Sequence, residues 1–419
     1  MKRAIALGLL TVLVVIGVGC FGTPQRETSP DTFETFADWC RHRDRETQGL
    51  IVGTQRTVEE LLAIAGTQRC NQAEKRLARL TELDLQNRYL ISDLAPLASF
   101  TQLIQLNLSG NIIADVAPLA SLTNLTSLDL SRNEIVDISP LRSLTQLVDL
   151  ALNRNQIADT DPLGNLTKLT SLNLSDNRFG DDGLVDITSL ANLTNLIRLD
   201  LSWNRIVDIT PLASLTNLTR LGLNLNQIAD VSPLSSLTQL TSLGLLSNQI
   251  VDVSPLANLT NLPSLGLGEN QIRDVTPLAS LTNLTSLGLD FNQIADVTPL
   301  AGLTKLEGLS LWDNQIVDVA PLANLTNLTD LYLRVLQIVD VAPLANLTYL
   351  TDLDLSVNQI VDVAPLANLT NLTDLSLIEN QVVETSPLAS LTNLDQLYIR
   401  GNLLESRTCP VQPETICVF

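Results

Sequence analysis

The sequence predicts an α/β solenoid with a long parallel sheet along its inner, concave side. Two observations carry this expectation. From Leu80 to about Asn402 one phrase returns, most often every 22 residues, and such a period marks stacked units, each able to bury its apolar face only against its neighbours. Within each unit, leucines alternate with polar residues over a short stretch, as in "LTSLDLS" from Leu125 to Ser131, which is the period of a half-buried strand. At 419 residues the chain is also long for one globular core, so a repeat array suits its length.

Residues 1–19 have the layout of an export signal, with Lys2 and Arg3 ahead of an apolar run from Ala4 to Val18 that ends at Gly19 and Cys20. The run is too short for a comfortable membrane span. "GVGC", Gly17 to Cys20, resembles the bacterial lipobox, with Gly17 where that motif usually has Leu, and implies lipidation of Cys20. Simple secretion and an uncleaved anchor are the alternatives. Residues 20–30 read as a flexible tether.

Residues 31–79 form a helical cap ahead of the array, which would otherwise leave its first core open. "TVEELLAIAG" reads as an amphipathic helix with Thr57 as N-cap and Gly66 near its end, and "CNQAEKRLARL" as a second helix. "ADWC" and "AGTQRCNQA" resemble the N-terminal cap of cyanobacterial repeat proteins. At the far end residues 403–419 close the array with the small loop "CPVQPETIC".

The four cysteines other than Cys20 flank the array in two pairs. An exported chain meets an oxidising compartment, and the ends of a long solenoid cannot meet, so the expected disulfides are Cys40 with Cys70 and Cys409 with Cys417. No metal site is expected: His42 is the one histidine, and no close pair of ligand cysteines is present.

Residues 80–402 hold fourteen units and a partial one, starting between Leu80 and Leu394. In the phrase L-x-x-L-x-L-x-x-N-x-I-x-D-V-x-P-L-A-x-L-T-N the Asn sits where the chain leaves the strand, and its amide can satisfy backbone groups of the turn. The Pro suits the first position of a helical turn, and the short turn predicts a 3₁₀ or irregular convex side. The phrase resembles the leucine-rich repeat of the short type found in internalins and in the phosphatase-regulator branch. That resemblance implies a right-handed horseshoe and protein binding as the commonest role.

The formal charge of -20 becomes -22 once Lys2 and Arg3 leave, so nucleic acid is not an expected partner. Fourteen of the 45 acids come from one position of the phrase, Asp93 to Glu384, and belong to the scaffold. Two departures are expected to be structural: "GDDGL" in the 27-residue fifth unit, with Asp182 beginning a convex helix, and the N-L-T sequences such as Asn124, Asn217 and Asn283. At Leu336 the turn Asn is missing, which reads either as local repacking or as an apolar edge of a binding surface.

The outward strand positions are nearly blank in the middle units: Ser242, Gly244, Ser264, Gly266, Ser286 and Gly288. They gain character further on, and the candidate ligand-binding residues are Phe291, Trp312, Asp330, Tyr332, Arg334, Asp352, Asp354, Asp374, Tyr398 and Arg400. Asp330, Asp352 and Asp374 share one column, where like charges repel unless a cation or basic partner neutralises them. No phosphate loop or nucleophile with a histidine partner is present, so no enzyme activity and no cofactor are expected; paired carboxylates of a hydrolase are the remote alternative. The expected function is therefore an exported, lipid-anchored, monomeric protein of the cell envelope that binds a protein, peptide or glycan through its concave face. A structural spacer without a ligand is the alternative.

Overall fold

Only the leucine-flanked core of each phrase alternates, and each unit accordingly makes one strand of three residues. In the computed structural model, which describes residues 33–42, 51–177 and 183–419, these strands run from β1 (Glu82–Asp84) to β15 (Gln396–Tyr398). They pair in parallel and in chain order, with the middle leucines in register: Leu83 with Leu106, and so on to Leu375 with Leu397. Those leucines and the leucines, isoleucines and valines of the turns form one continuous buried core. The expected signal, Cys20 and the tether lie outside the described residues. Residues Glu34–Phe419 form one compact unit.

The convex side is built of 3₁₀ turns such as Ala117–Ser121 and Ala364–Asn368, most of them with Pro near the start. The scaffold acids open these turns. Asp115 accepts the N–H of Ala117 at 2.8 Å, Asp137 that of Ser139 at 2.7 Å and Asp362 that of Ala364 at 2.8 Å. Asn124, Asn217 and Asn283 likewise serve the scaffold, each donating at 2.9 Å to a threonine carbonyl of the preceding unit.

The turn acids give a pH dependence. The backbone N–H of Ser139 and of Ser232 holds Asp137 and Asp230 below the usual carboxylate range, and the hydroxyls of Thr188, Thr210, Thr276 and Thr298 do the same for Asp186, Asp208, Asp274 and Asp296. A folded-state pKa below the unfolded one adds stability that is complete above the unfolded value and is lost as pH falls through the folded one. Urea midpoints should therefore hold steady from neutral pH to about 5 and fall below about 4. A midpoint rising in that acid range would contradict the assignment.

Three helices, α1 (Phe36–His42), α2 (Ile51–Ala65) and α3 (Cys70–Leu77), cover the first unit. Phe36 packs on Phe100 of that unit with ring centroids 5.9 Å apart. Thr57 is not an N-cap, because α2 begins earlier. Its buried hydroxyl donates to the carbonyls of Gly53 (3.0 Å) and Asp93 (2.8 Å), tying the helix to the array. Gly53 lies close to Ser92 there: a Cβ would meet the Ser92 Oγ at 1.9 Å, so that side chain would have to turn aside. Gly66 ends the helix with φ +62°, a conformation glycine adopts freely.

Cys40 and Cys70 join α1 to α3, and Cys409 joins Cys417. The C-terminal tail is more than a loop. Its residues Cys417–Val418 form β16, which adds to the open edge of β15, with Leu397 opposite Cys417 and Tyr398 opposite Val418. In the long fifth unit, Asp181 and Asp182 lie outside the described residues, and no helix follows them. The chain from Gly183 to Ile187 is irregular, and the ordinary turn Thr188–Asn192 follows, opened by Asp186.

Candidate functional site

Since each strand is three residues long, two side chains per unit point outward from the strand proper, and a third follows where the chain leaves it. The next residue is forced into the left-handed region by the turn, with φ between +51° and +62° from Arg132 to Glu379. This corrects the expected placement of Phe291. It occupies the left-handed turn position (φ +51°), three residues past β10 (Ser286–Gly288), and is 38% exposed. Trp312 and Arg334 likewise sit two residues past β11 (Gly308–Ser310) and β12 (Asp330–Tyr332).

These three side chains nevertheless meet. The rings of Phe291 and Trp312 lie 4.8 Å apart at a tilt of 47°, and the Arg334 guanidinium carbon is 5.1 Å from the Trp312 ring centroid. Both geometries are attractive, the first between aromatic quadrupoles and the second between a cation and a π face. Asp290 fixes the tryptophan from behind by accepting its backbone N–H at 3.1 Å. The indole Nε1 of Trp312 is shielded from solvent and has no acceptor among the described residues.

The acidic column lies beside this cluster. Asp330, Asp352 and Asp374 open β12, β13 (Asp352–Asp354) and β14 (Asp374–Ser376), and are register partners. Tyr332 donates its hydroxyl to Asp352 Oδ2 at 2.9 Å. Partial burial pushes the Asp352 carboxyl above the usual range, and the charges of Asp374, Asp330 and Asp354 push further, against the hydrogen bond from Tyr332. Burial and the same hydrogen bond push the Tyr332 phenol far up. Asp354 has a local duty as acceptor of the Ser356 N–H at 2.9 Å.

Tyr398 and Arg400 continue the same columns but touch neither cluster. Tyr398 is in register with Ser376, three strands beyond Tyr332, or about 14 Å away. No group of three or more metal-ligating side chains is assembled among the described residues, the acidic column included.

Leu336 turns inward. It is 6% exposed and joins the core, so the surface at this point is not an apolar edge. Reading by the phrase missed the brace contributed by Asp290 and a depression lined by Arg198 and Arg220. Asp290 was legible as a charge but not as a brace.

Comparison with known proteins accords with this architecture. No curated protein matches the chain. An internalin (inlF) of Listeria monocytogenes superposes with a TM-score of 0.69 at 38% identity, over 82% of this chain and 94% of that one. A leucine-rich repeat protein of Leptospira interrogans gives 0.69 at 25% identity, over 81% and 93%. The leucine-rich repeat ectodomain of a membrane receptor kinase of Arabidopsis thaliana, in complex with CASPARIAN STRIP INTEGRITY FACTOR 2, shares the fold with a TM-score of 0.62 at 24% identity, over 79% and 45%. Family models described as leucine-rich repeats match residues 101–165, 194–258, 260–302 and 304–346 in two-copy form and 168–193 as a single copy. With the 22-residue phrase, the parallel strand order and these matches, the chain belongs to the leucine-rich repeat family.

Proposed function

We propose that this is an exported, lipid-anchored protein of the cell envelope that binds a protein, peptide or glycan through its concave face, chiefly from the ninth unit onward. The observation that carries the reading is the aligned column Asp330, Asp352 and Asp374, three carboxylates in register with no basic side chain paired to them among the described residues. A basic side chain of a ligand would relieve that repulsion. The Phe291, Trp312 and Arg334 cluster beside it supplies the residue types that anchor interfaces. The domain limits 1–19, 20–30, 31–79, 80–402 and 403–419 and the lipidation of Cys20 belong to the same proposal. Among the described residues no helix is long and apolar enough to cross a membrane.

The blank strands Ser242–Gly244, Ser264–Gly266 and Ser286–Gly288 favour the spacer reading for the middle of the array. The two readings part in one experiment. Residues 31–419 are immobilised and exposed to a cell-envelope extract, beside a folded variant with Trp312, Tyr332, Arg334, Asp352 and Asp374 changed to Ser. A partner held by the first and lost by the second is expected, while equal capture or none sinks the concave-site reading.

Binding of a basic partner should also weaken with acid. Asp352 titrates above the usual carboxylate range, so affinity should begin to fall at a higher pH than an ordinary aspartate would dictate. Replacing Asp352 with Asn should remove that early phase from the affinity profile.

A further inference from the structure

The concave face carries a second feature at the N-terminal edge of the blank strands, the first of which helps to line it. β5 (Ser171–Asn173), β6 (Arg198–Asp200), β7 (Arg220–Gly222) and β8 (Ser242–Gly244) line a depression of about 430 Å³. Arg198 and Arg220 are register partners there, so two cationic side chains rise from adjacent strands about 4.8 Å apart at their bases. Like charges so placed repel.

Only one of the two is relieved within the chain. Arg198 reaches back past β5 to Asp149 on β4 (Asp149–Ala151), with Nη2 to Oδ1 at 3.3 Å. Arg220 is exposed, and its guanidinium has neither an ion pair nor a hydrogen bond among the described residues. Arg220 is therefore a cation without an internal partner on the concave face of a chain of formal charge -20.

Beside Arg220 the space above two glycines is taken by polar side chains of neighbouring residues. A Cβ at Gly222 would lie 2.4 Å from Asp200 Oδ1, and one at Gly244 would lie 2.6 Å from both the Nδ2 and the Oδ1 of Asn224. Those neighbours lean over the glycines and occupy the place a side chain would need. Asn224 is oriented by the N–H of Leu246, which its Oδ1 accepts at 2.9 Å, and its Nδ2 remains free to donate into the depression.

We propose that this depression is an anion subsite that takes a carboxylate of an acidic polypeptide segment, gripped in bidentate fashion by Arg220, with Arg198 and Asn224 Nδ2 at its sides. Asp149 and Asp200 decide for a carboxylate over a phosphate or sulfate group, because added negative charge would meet those two acids. The subsite stands six strands from the Asp352 column, about 29 Å along the sheet, and does not depend on it.

The test is fluorescence anisotropy of a hexaglutamate peptide carrying a neutral dye, titrated with the full chain at low ionic strength. Saturable binding is expected, weakened at least about tenfold in Arg220→Ala and less in Arg220→Lys, which keeps the charge but loses the fork. Arg220→Ala should unfold at the same urea concentration as the parent, since the side chain makes no internal bond. The variants Trp312→Ser and Asp352→Ser should bind hexaglutamate unchanged, so failure of the concave-site reading above would leave this result intact. Absence of saturable binding, or equal affinity in Arg220→Ala, would overturn the proposal. So would a sulfated oligosaccharide or pyrophosphate that binds through Arg220 while hexaglutamate does not.

Discussion

Changing Asn270 to Leu is expected to cost about 2–4 kcal/mol, while Leu336→Asn, at the equivalent position three units on, is expected to add about 1 kcal/mol. The asymmetry follows from the ladder of turn amides. Asn270 donates from Nδ2 to the carbonyls of Leu245, Leu267 and Gly268, each at 3.0 Å, and its Oδ1 accepts the N–H of Ile250 at 3.0 Å. Leucine there would orphan a buried N–H and remove a donor from each carbonyl. At Leu336 the carbonyls of Leu311 and Leu333 each keep one amide, from Asn314 and Asn358 at 2.9 and 2.8 Å. The buried Ile316 N–H, whose equivalents donate to an Asn Oδ1 as in Ile294 to Asn314, has no acceptor among the described residues. Urea denaturation of both variants checks the pair. If Leu336→Asn destabilises, packing of the leucine outweighs the orphaned amide and the account of the ladder is wrong.

Removing the Cys40–Cys70 disulfide by changing both residues to Ser is expected to cost about 3–4 kcal/mol, the chain-entropy value for a loop of this length. The loss should be local. A solenoid unit contacts only its neighbours, so amide exchange should quicken in α1, α3 and the first units, around Phe36 and Phe100, and hardly change beyond the middle of the array. Uniform acceleration along all units would mean that the cap governs the whole array cooperatively.

Much of this architecture was legible because each repeated residue answers a local need. The leucine alternation specifies a strand, the turn Asn satisfies carbonyls of its own unit and the one before, and the Asp before the 3₁₀ turns from Ala95 to Asn368 accepts their first N–H. Agreement of this kind, repeated along the array, leaves little freedom. Where a residue serves two elements, local reading failed: Thr57 has the chemistry of an N-cap, yet its hydroxyl serves a helix that starts earlier and the carbonyl of Asp93 across the cap. The convex helix expected after Asp182 is not present from Gly183 to Ile187, and the turn Thr188–Asn192 has its own opening acid in Asp186.

The candidate surface divides along the same line. Which residues face outward in one column, such as Asp330, Asp352 and Asp374, follows from the 22-residue period, because register in a stacked sheet is the period itself. How long side chains then lean does not follow from it. The contact of Phe291 with Trp312, the seat of Arg334 over the indole, the inward turn of Leu336 and the reach of Arg198 to Asp149 past an intervening strand were decided by tertiary structure alone. The sequence by itself determined the fold family, the strand register and the cysteine pairing, since backbone hydrogen bonding and burial repeat with the chain. The direction of each outward side chain depends on charges and rings supplied by neighbouring units, which the phrase leaves free to vary.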